Sequence, residues 1–365
     1  MTGAALAAGW AADLALGDPR RFHPVAGFGR LALALERRIY APSRLRGALF
    51  TTLLVGGAGL AAEVAARAAE RLLAHGAARA GGGAVASRLA RPGAGRALVL
   101  AALTWGALGG RSLAREGRRI ADHLDRDDLV GARAALPALA GRDPSQLDEA
   151  GISRAVVESL AENSSDAVVG ALVWGAAAGP AGVAAFRAAN TLDAMVGHRS
   201  PRYAEFGFAA AKLDDALGWP GARLGALLTV ATAPVVGGSP RAALRILRRD
   251  GAAHPSPNAG RMEAAFAGAL DLRLGGPLTY GAPASASGDP SAPDSARHED
   301  RPTLGDGRAA TPADAHRAAR LSLVVGAAAA LVCAAARPVC AARTGRLGTS
   351  AGTDRPLLTT TGAAA

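Results

Sequence analysis

Glu158-Ser-Leu-Ala-Glu162-Asn163-Ser-Ser-Asp166 runs straight into the uncharged segment Ala167–Phe186, and Arg187-Ala-Ala-Asn190-Thr-Leu-Asp193 follows it. The uncharged segment has the length of roughly 20 residues that a helix needs to cross a bilayer. Gly179-Pro180 breaks it near the middle, and proline removes a helical N–H. If the segment crossed fully, the two polar strings would stand on opposite faces of a membrane. A helix–break–helix that enters and returns puts both strings on one side, which is allowed where protein buries the interrupted backbone. The returning arrangement is the one expected here.

Further uncharged runs lie on either side: Gly47–Ala62, Ala97–Gly110, Leu224–Pro240 and Leu321–Ala336. They are short for a span and rich in Ala and Gly, which suit close helix packing in lipid. Half of the 365 residues are hydrophobic but only 4% are aromatic, so the apolar mass is aliphatic and small. Five such runs are hard to bury in one water-soluble domain of this size, and a soluble helical protein is the alternative. The fold class expected is therefore all-α, a polytopic integral membrane protein whose motifs sit on helical loops. No stretch alternates with period two, so little or no sheet is expected. Gly3–Leu16, which contains Asp13 and lacks a basic leader, reads as a further short membrane helix rather than a cleaved signal.

The net charge of +11 does not indicate nucleic acid. The arginines are spread over connecting segments, without aromatic interleaving or a recognisable binding module. Basic loops beside apolar helices follow the positive-inside bias instead. Arg20, Arg21, Arg30, Arg37, Arg38, Arg44 and Arg46 precede the first strong apolar run, which assigns that segment to the cytoplasm. Cys333 and Cys340 have no metal-site spacing and read as apolar packing residues. One membrane-embedded domain, residues 1–343, is expected, with a Gly-rich loop near 80–84. A disordered Ala/Pro/Ser/Gly/Asp insert over 282–301 and a disordered tail over 344–365 are also expected. Thr311-Pro312-Ala313-Asp314 marks a helix start, with Thr as cap and an acid in the first turn.

The chain's asparagines, Asn163, Asn190 and Asn258, and its single lysine, Lys212, all fall among these polar strings. Glu158, Glu162 and Asp166 are spaced i, i+4, i+8, aligning three carboxylates on one helical stripe. Like charges so placed repel unless a cation intervenes. Arginine or Mg²⁺, which prefers oxygen ligands, would relieve the repulsion; a solvated acidic face is the plain alternative. Arg187, Asn190 and Asp193 follow at i, i+3, i+6, where they could bind an amide-rich or phosphorylated ligand or merely tie a helix end. Lys212 and Asp215 stand one turn apart with Asp214 between them, either as a surface ion pair or as a compact ammonium facing a phosphate. His254-Pro-Ser256-Pro-Asn258 and His23-Pro24 are proline-stiffened turns that present imidazoles, a hydroxyl and an amide. There is no Walker A loop, no nucleophile elbow and no zinc signature.

Taken in order, the strings resemble the adenosylcobinamide-phosphate synthase family of cobalamin biosynthesis. The resemblance begins with Gly17-Asp18-Pro19 and His23-Pro24-Val25, then Glu158-Ser159 with Ala161-Glu162-Asn163 and Asp166. It continues through Arg187–Gly197, Arg202-Tyr203 with Phe206-Gly207, Lys212-Leu213-Asp214-Asp215, and His254–Gly260 followed by Glu263. It extends from about residue 5 to 340. One departure is Arg261-Met262 before Glu263, where the family commonly has an aromatic or apolar residue and proline.

The resemblance implies a multi-pass enzyme of the cell membrane with its active site facing the cytoplasm. It implies ATP-dependent joining of a carboxylate of adenosylcobyric acid to (R)-1-amino-2-propanol or its O-phosphate, with ATP and Mg²⁺ required. Under it, Glu158, Glu162 and Asp166 would hold Mg²⁺, and Lys212 and Arg187 would neutralise phosphates. Asn163, Asn190 and Asn258 would read the amides of the corrinoid. His254 would take the proton of the attacking ammonium. Asp193 joins the expected catalytic set; His23, Arg202, Tyr203, Asp214, Asp215 and Ser256 join the expected substrate contacts. Membrane lipid, and other membrane enzymes of the pathway, are the expected partners. A transporter or a non-catalytic membrane relative is the alternative, although the dense strings lie between apolar helices rather than within them.

Overall fold

Helix α3 (Arg44–Arg79) carries the first long apolar run unbroken. It leaves Leu45, Leu49, Leu53, Leu60 and Val64 exposed, and only 22% of its most apolar window is buried by protein. Such a surface is suited to lipid and unsuited to water. The computed structural model describes residues 1–19, 23–79, 91–198, 200–280 and 297–336. Among these, four helical stretches are long and apolar enough to cross a membrane: α3, Ala94–Leu124, Glu149–Gly197 and Pro312–Ala335. The fold is that of a multi-pass helical membrane protein, as the composition requires.

The remaining elements in chain order are α1 (Thr2–Leu16) and α2 (Pro24–Ile39) before α3, then α4 (Ala94–Ala107), α5 (Gly110–Leu124) and α6 (Leu129–Ala135). They are followed by α7 (Glu149–Asn163), α8 (Gly170–Leu192), α9 (Phe208–Thr232), α10 (Pro240–Asp250), α11 (Ala259–Leu270) and α12 (Pro312–Ala335). Strands β1 (Leu274–Tyr280) and β2 (Arg297–Leu304) form one antiparallel pair between α11 and α12. The start of α12 carries the expected cap: Asp314 accepts from Thr311 N at 3.0 Å and from Thr311 Oγ1 at 2.7 Å. Cys333 is free and buried, an apolar packing residue as read; Cys340 lies outside the described residues.

Two polar layers bound the apolar helices. At one end Glu70 of α3 accepts the backbone amides of Gly95 (2.8 Å) and Arg96 (3.2 Å), capping α4, while Arg96 pairs with Glu63 at 2.7 Å. A carboxylate at a helix N-terminus meets the positive end of the helix dipole. At the other end Arg111 donates to Leu14 O (2.9 Å) and Trp105 Nε1 to Gly17 O (2.9 Å), fastening the end of α1 to α4 and α5.

The segment 167–186 spans the space between these layers and returns. Gly179 has φ 65° and ψ −143°, a conformation that glycine adopts and L-residues resist. Pro180 then starts the returning arm, where its missing N–H costs nothing. A side chain at Gly170 would collide with the Phe186 ring, and one at Gly175 would lie 2.9 Å from Val183 Cγ2. On a straight helix residues 170 and 186 would be about 24 Å apart, so the two arms of α8 lie antiparallel. Each arm is about 18 Å long, short against a hydrocarbon core of roughly 30 Å. The tip lies against Arg96, in the far polar layer. The residues beyond both arms therefore share one end of the molecule, as expected.

One expectation is corrected. The insert read over 282–301 ends earlier, because Arg297–Leu304 is a strand in register with Leu274–Tyr280, Arg301 opposite Gly276. Leu274 and Leu304 anchor the pair by burial. That pairing is non-local, so the composition of 282–301 could not reveal it. Residues 281–296 and the tail over 344–365 lie outside the described residues.

Candidate active site

At the end of the molecule where both arms of α8 begin and finish, each arm leaves its α-helix through a π-helical turn, Ser164–Val169 and Asp193–Gly197. Such turns recur at functional sites because they re-aim side chains within a helix. Here they carry Asp166 and Asp193. Asp166 lies in the electrostatic field of Asp214, Glu162, Asp193 and the Arg187 guanidinium. Arg187 donates to Asn190 Oδ1 at 3.0 Å and also feels Asp18 and Asp214. Glu162, Asp166, Arg187, Asn190, Asp193, Asp214 and Asp215 are all half-buried, so the group is neither a core network nor a solvated face.

Asp214, on α9, is the carboxyl whose ionisation this crowding alters most legibly. Burial, then the neighbouring Asp193, push it up to about 7 from an ordinary 3.8, against a hydrogen bond from Asn190 that favours the charged form. Five carboxylates stand against the Arg187 guanidinium, with Arg301 and Arg142 acting on Glu162 and Lys212 pairing with Asp215 at 3.3 Å, so the half-buried cluster is rich in negative charge. Its donor set is carboxylate oxygen, which suits Mg²⁺.

Glu158 has a different role from that expected. It is buried, pairs with Arg142 at 2.7 Å, and accepts the Gly275 amide at 2.7 Å. Arg154 donates to Gly275 O at 2.7 Å, so α7 grips the start of β1. Among the described residues Glu158, Glu162 and Asp166 do not bring ligand atoms within 4.8 Å of one another; Asp122, Asp125 and His316 do. That last group is a surface pair, His316 Nε2 to Asp125 at 2.9 Å, with Asp122 beside it. The stripe read from the spacing is thus divided: Glu158 is neutralised by arginine, and Glu162 and Asp166 face the acid cluster.

The His254 turn closes the other side. Ser256 N donates to His254 Nδ1 at 3.0 Å, leaving the ring proton on Nε2, which lies 3.9 Å from Glu263 Oε1. With Nδ1 accepting that amide, the imidazole holds the turn and has no lone pair for an incoming ammonium. Ser256 Oγ accepts from Ala259 N at 3.1 Å, capping α11. Asn258 accepts from Arg223 at 2.8 Å and donates to Asp215 O at 2.9 Å, joining the turn to α9. Asn163 donates to Ser159 O at 2.9 Å.

Glu263 and Arg301 were not among the residues expected at the site. Glu263 is 1% exposed, and both its oxygens lack hydrogen-bond partners among the described residues. Burial, then Glu158 and Glu162, hold its carboxyl well above the usual range, opposed by Arg301 and Arg142. Arg301 Nη1 stands 3.8 Å from Glu263 Oε1 and acts on Glu162 as well. The Glu263 motif residue was visible in the sequence; Arg301 was hidden inside the segment read as irregular.

Other expected residues lie apart from this centre. Arg202 (3.0 Å) and the Tyr203 hydroxyl (2.9 Å) both bind buried Glu36 of α2, and the Arg202 guanidinium stacks 4.0 Å from the Tyr40 ring centroid. They fasten the 200–207 turn to α2. Lys212 is 63% exposed and pairs with Asp215 at 3.3 Å, at the rim. His23 caps α2, accepting from Val25 N at 3.2 Å.

The family model described as CobD/Cbib protein matches residues 6–322. The Cobalamin biosynthesis protein CobD of Mycobacterium tuberculosis (strain H37Rv) is 50% identical over 325 residues, covering 88% of this chain and 91% of that protein. The proteins of the same name from Pelobacter propionicus and Geobacter metallireducens are each 42% identical. They cover 74% and 77% of this chain, and 79% and 85% of their own lengths. No solved structure matches the chain significantly.

Proposed function

The chain belongs to the CobD/Cbib protein family, and on that premise we propose that it serves cobalamin biosynthesis as an ATP-dependent ligase. It joins a propionate carboxylate of adenosylcobyric acid to (R)-1-amino-2-propanol or its O-phosphate in an amide bond. The observation that carries this reading is the gathering of Glu162, Asp193, Asp214 and the Arg187 guanidinium around Asp166 at the open end of the hairpin.

A carboxylate and an ammonium do not condense unaided, since neither a leaving group nor a nucleophilic lone pair is present. ATP supplies the leaving group when bound, and Mg²⁺ the positive charge that its phosphates require. Glu162, Asp166 and Asp193, whose oxygens among the described residues do not all come within 4.8 Å of one another, would hold the metal through the waters that Mg²⁺ keeps. Arg187, with Lys212 at the rim, would neutralise phosphate oxygens. Asp214, poised at about 7, receives the proton that the ammonium must lose before its nitrogen can attack. Asn190, beside Arg187, offers an amide to the corrinoid side chains. Glu158, Arg142, Arg154, Glu263 and Arg301 brace the helices and the strand pair that frame the site. Arg44 at the start of α3 pairs with Glu205, beside the site's end of the molecule, and the positive-inside bias supports a cytoplasmic face for that end.

Purified full-length protein in lipid nanodiscs, supplied with adenosylcobyric acid, ATP, Mg²⁺ and each amine in turn, should form the amide, detected by mass. The faster amine identifies the natural substrate. Glu162→Gln should raise the Mg²⁺ concentration needed for half-maximal rate. No amide from either amine would overturn the ligase reading; undiminished ligation by Glu162→Gln at limiting Mg²⁺ would remove the metal role alone.

A further inference from the structure

Away from the acid cluster, Asp122 and Asp125, on the last turn and at the C-cap of α5, meet His316 near the start of α12. His316 Nε2 stands 2.9 Å from Asp125 Oδ2 and 3.6 Å from Asp122 Oδ1. A ligand atom from each of the three residues lies within 4.8 Å of the other two. The side chains of Asp122, Asp125 and His316 are 53%, 50% and 34% exposed, so an ion in solution reaches them.

An ion pair does not account for this arrangement. The single hydrogen on Nε2 serves one acceptor, here Asp125, and 3.6 Å puts Asp122 beyond hydrogen-bond reach. Both carboxylates stand at the C-terminal end of α5, where the helix dipole is already negative. Neighbouring cations are engaged elsewhere: Arg119 pairs with Glu116 at 2.8 Å and His123 with Asp128 at 2.8 Å, while Arg126 acts on Asp128. One ion bound by all three residues relieves the repulsion that the imidazole alone leaves. Ligand atoms about 2.0–2.2 Å from Zn²⁺ stand about 3.3–3.6 Å apart at the corners of a tetrahedron, close to the separations observed. The imidazole nitrogen selects a transition ion over Mg²⁺, which prefers oxygen.

We propose that Asp122, Asp125 and His316 form a site for a divalent transition ion of the Zn²⁺ type, with water in the fourth position, and that the ion clasps α5 to α12. The clasp is separate from the all-carboxylate cluster and touches no substrate. It bears on that cluster through α12: about 9 Å along the helix from His316, Ser322 Oγ accepts from Ser164 Oγ at 2.7 Å, in the π-helical turn that carries Asp166. Occupancy therefore steadies the helix against which that turn is held.

The test uses the full chain in nanodiscs, stripped with EDTA and titrated calorimetrically with Zn²⁺ while excess Mg²⁺ occupies the carboxylate cluster. One Zn²⁺ should bind per chain, raising the melting temperature by about 5 °C or more at a hundredfold excess over Kd. His316→Ala and Asp125→Asn should each weaken binding about a hundredfold or more, beyond the cost of losing an outer-shell partner. His316→Cys keeps a ligand atom and should keep the site, with a thiolate-to-metal absorption band on loading with Co²⁺, which loss of folding cannot mimic. Glu162→Gln should bind Zn²⁺ as the wild type does. Failure of the stripped wild type to bind Zn²⁺, or unaltered affinity in both His316→Ala and Asp125→Asn, overturns the clasp. So does an affinity lost in Glu162→Gln and kept in His316→Ala, which would place the ion among the carboxylates.

Discussion

Asp214 shows how position within the fold, rather than residue type, sets a chemical role. Its carboxyl stands at about 7 in the folded chain against an ordinary 3.8, and a base acts only when deprotonated. The rate of ligation should therefore rise as pH climbs through about 7, and Asp214→Asn should remove that limb and lower kcat by about 10²–10⁴-fold. A pH–rate profile that keeps the limb in this variant would assign the base elsewhere. The same shift has a consequence for stability. A carboxyl raised on folding favours the fold while protonated, fully so below 3.8, and that contribution is lost as pH rises through about 7. Melting of the ligand-free protein should follow this direction, and Asp214→Asn should flatten it. His254 illustrates the converse: a residue typical of proton transfer is occupied in holding a turn.

At the scale of elements, the hairpin of α8 and the β1–β2 pair bring distant residues to the centre. The hairpin requires bare backbone at Gly170, where a side chain meets the Phe186 ring. Gly170→Leu should cost about 1–3 kcal/mol by overpacking, read as a lowered melting temperature, whereas wild-type stability would show that the arms do not touch. The strand pair delivers Arg301 to Glu263 and Glu162. Arg301→Met leaves those carboxylates short of a cation and should reduce both stability and ligation. Adding Glu263→Gln removes one of the opposing charges and should restore part of each. If the second substitution deepens the loss, Arg301 does not act by neutralising Glu263.

For the whole molecule, the returning hairpin places the polar strings before and after it at one end, with Glu63, Glu70 and Arg96 at the other. Single cysteines at the exposed positions 145 and 194 should be labelled by an impermeant reagent from the same face of sealed vesicles. One at position 93 should be labelled from the opposite face. Labelling of 145 and 194 from opposite faces would rule out a shared site. The exposed leucines of α3 mark the lipid-facing perimeter, and a detergent or bilayer is needed to keep the protein dispersed.

The chain by itself determined the membrane class, the break at Gly179-Pro180 and the strings from which the site is built. Those features are local: an uncharged run, a residue that tolerates positive φ, a proline that ends a helix. Tertiary structure alone decided that Glu158 is neutralised by Arg142 and that Asp214 lies among other acids. It also decided that Arg301, inside a segment of irregular composition, reaches the centre on a strand. The physical reason is that burial and the sign of the neighbouring charge depend on side chains far away along the chain, and spacing along the sequence carries no record of which of them meet.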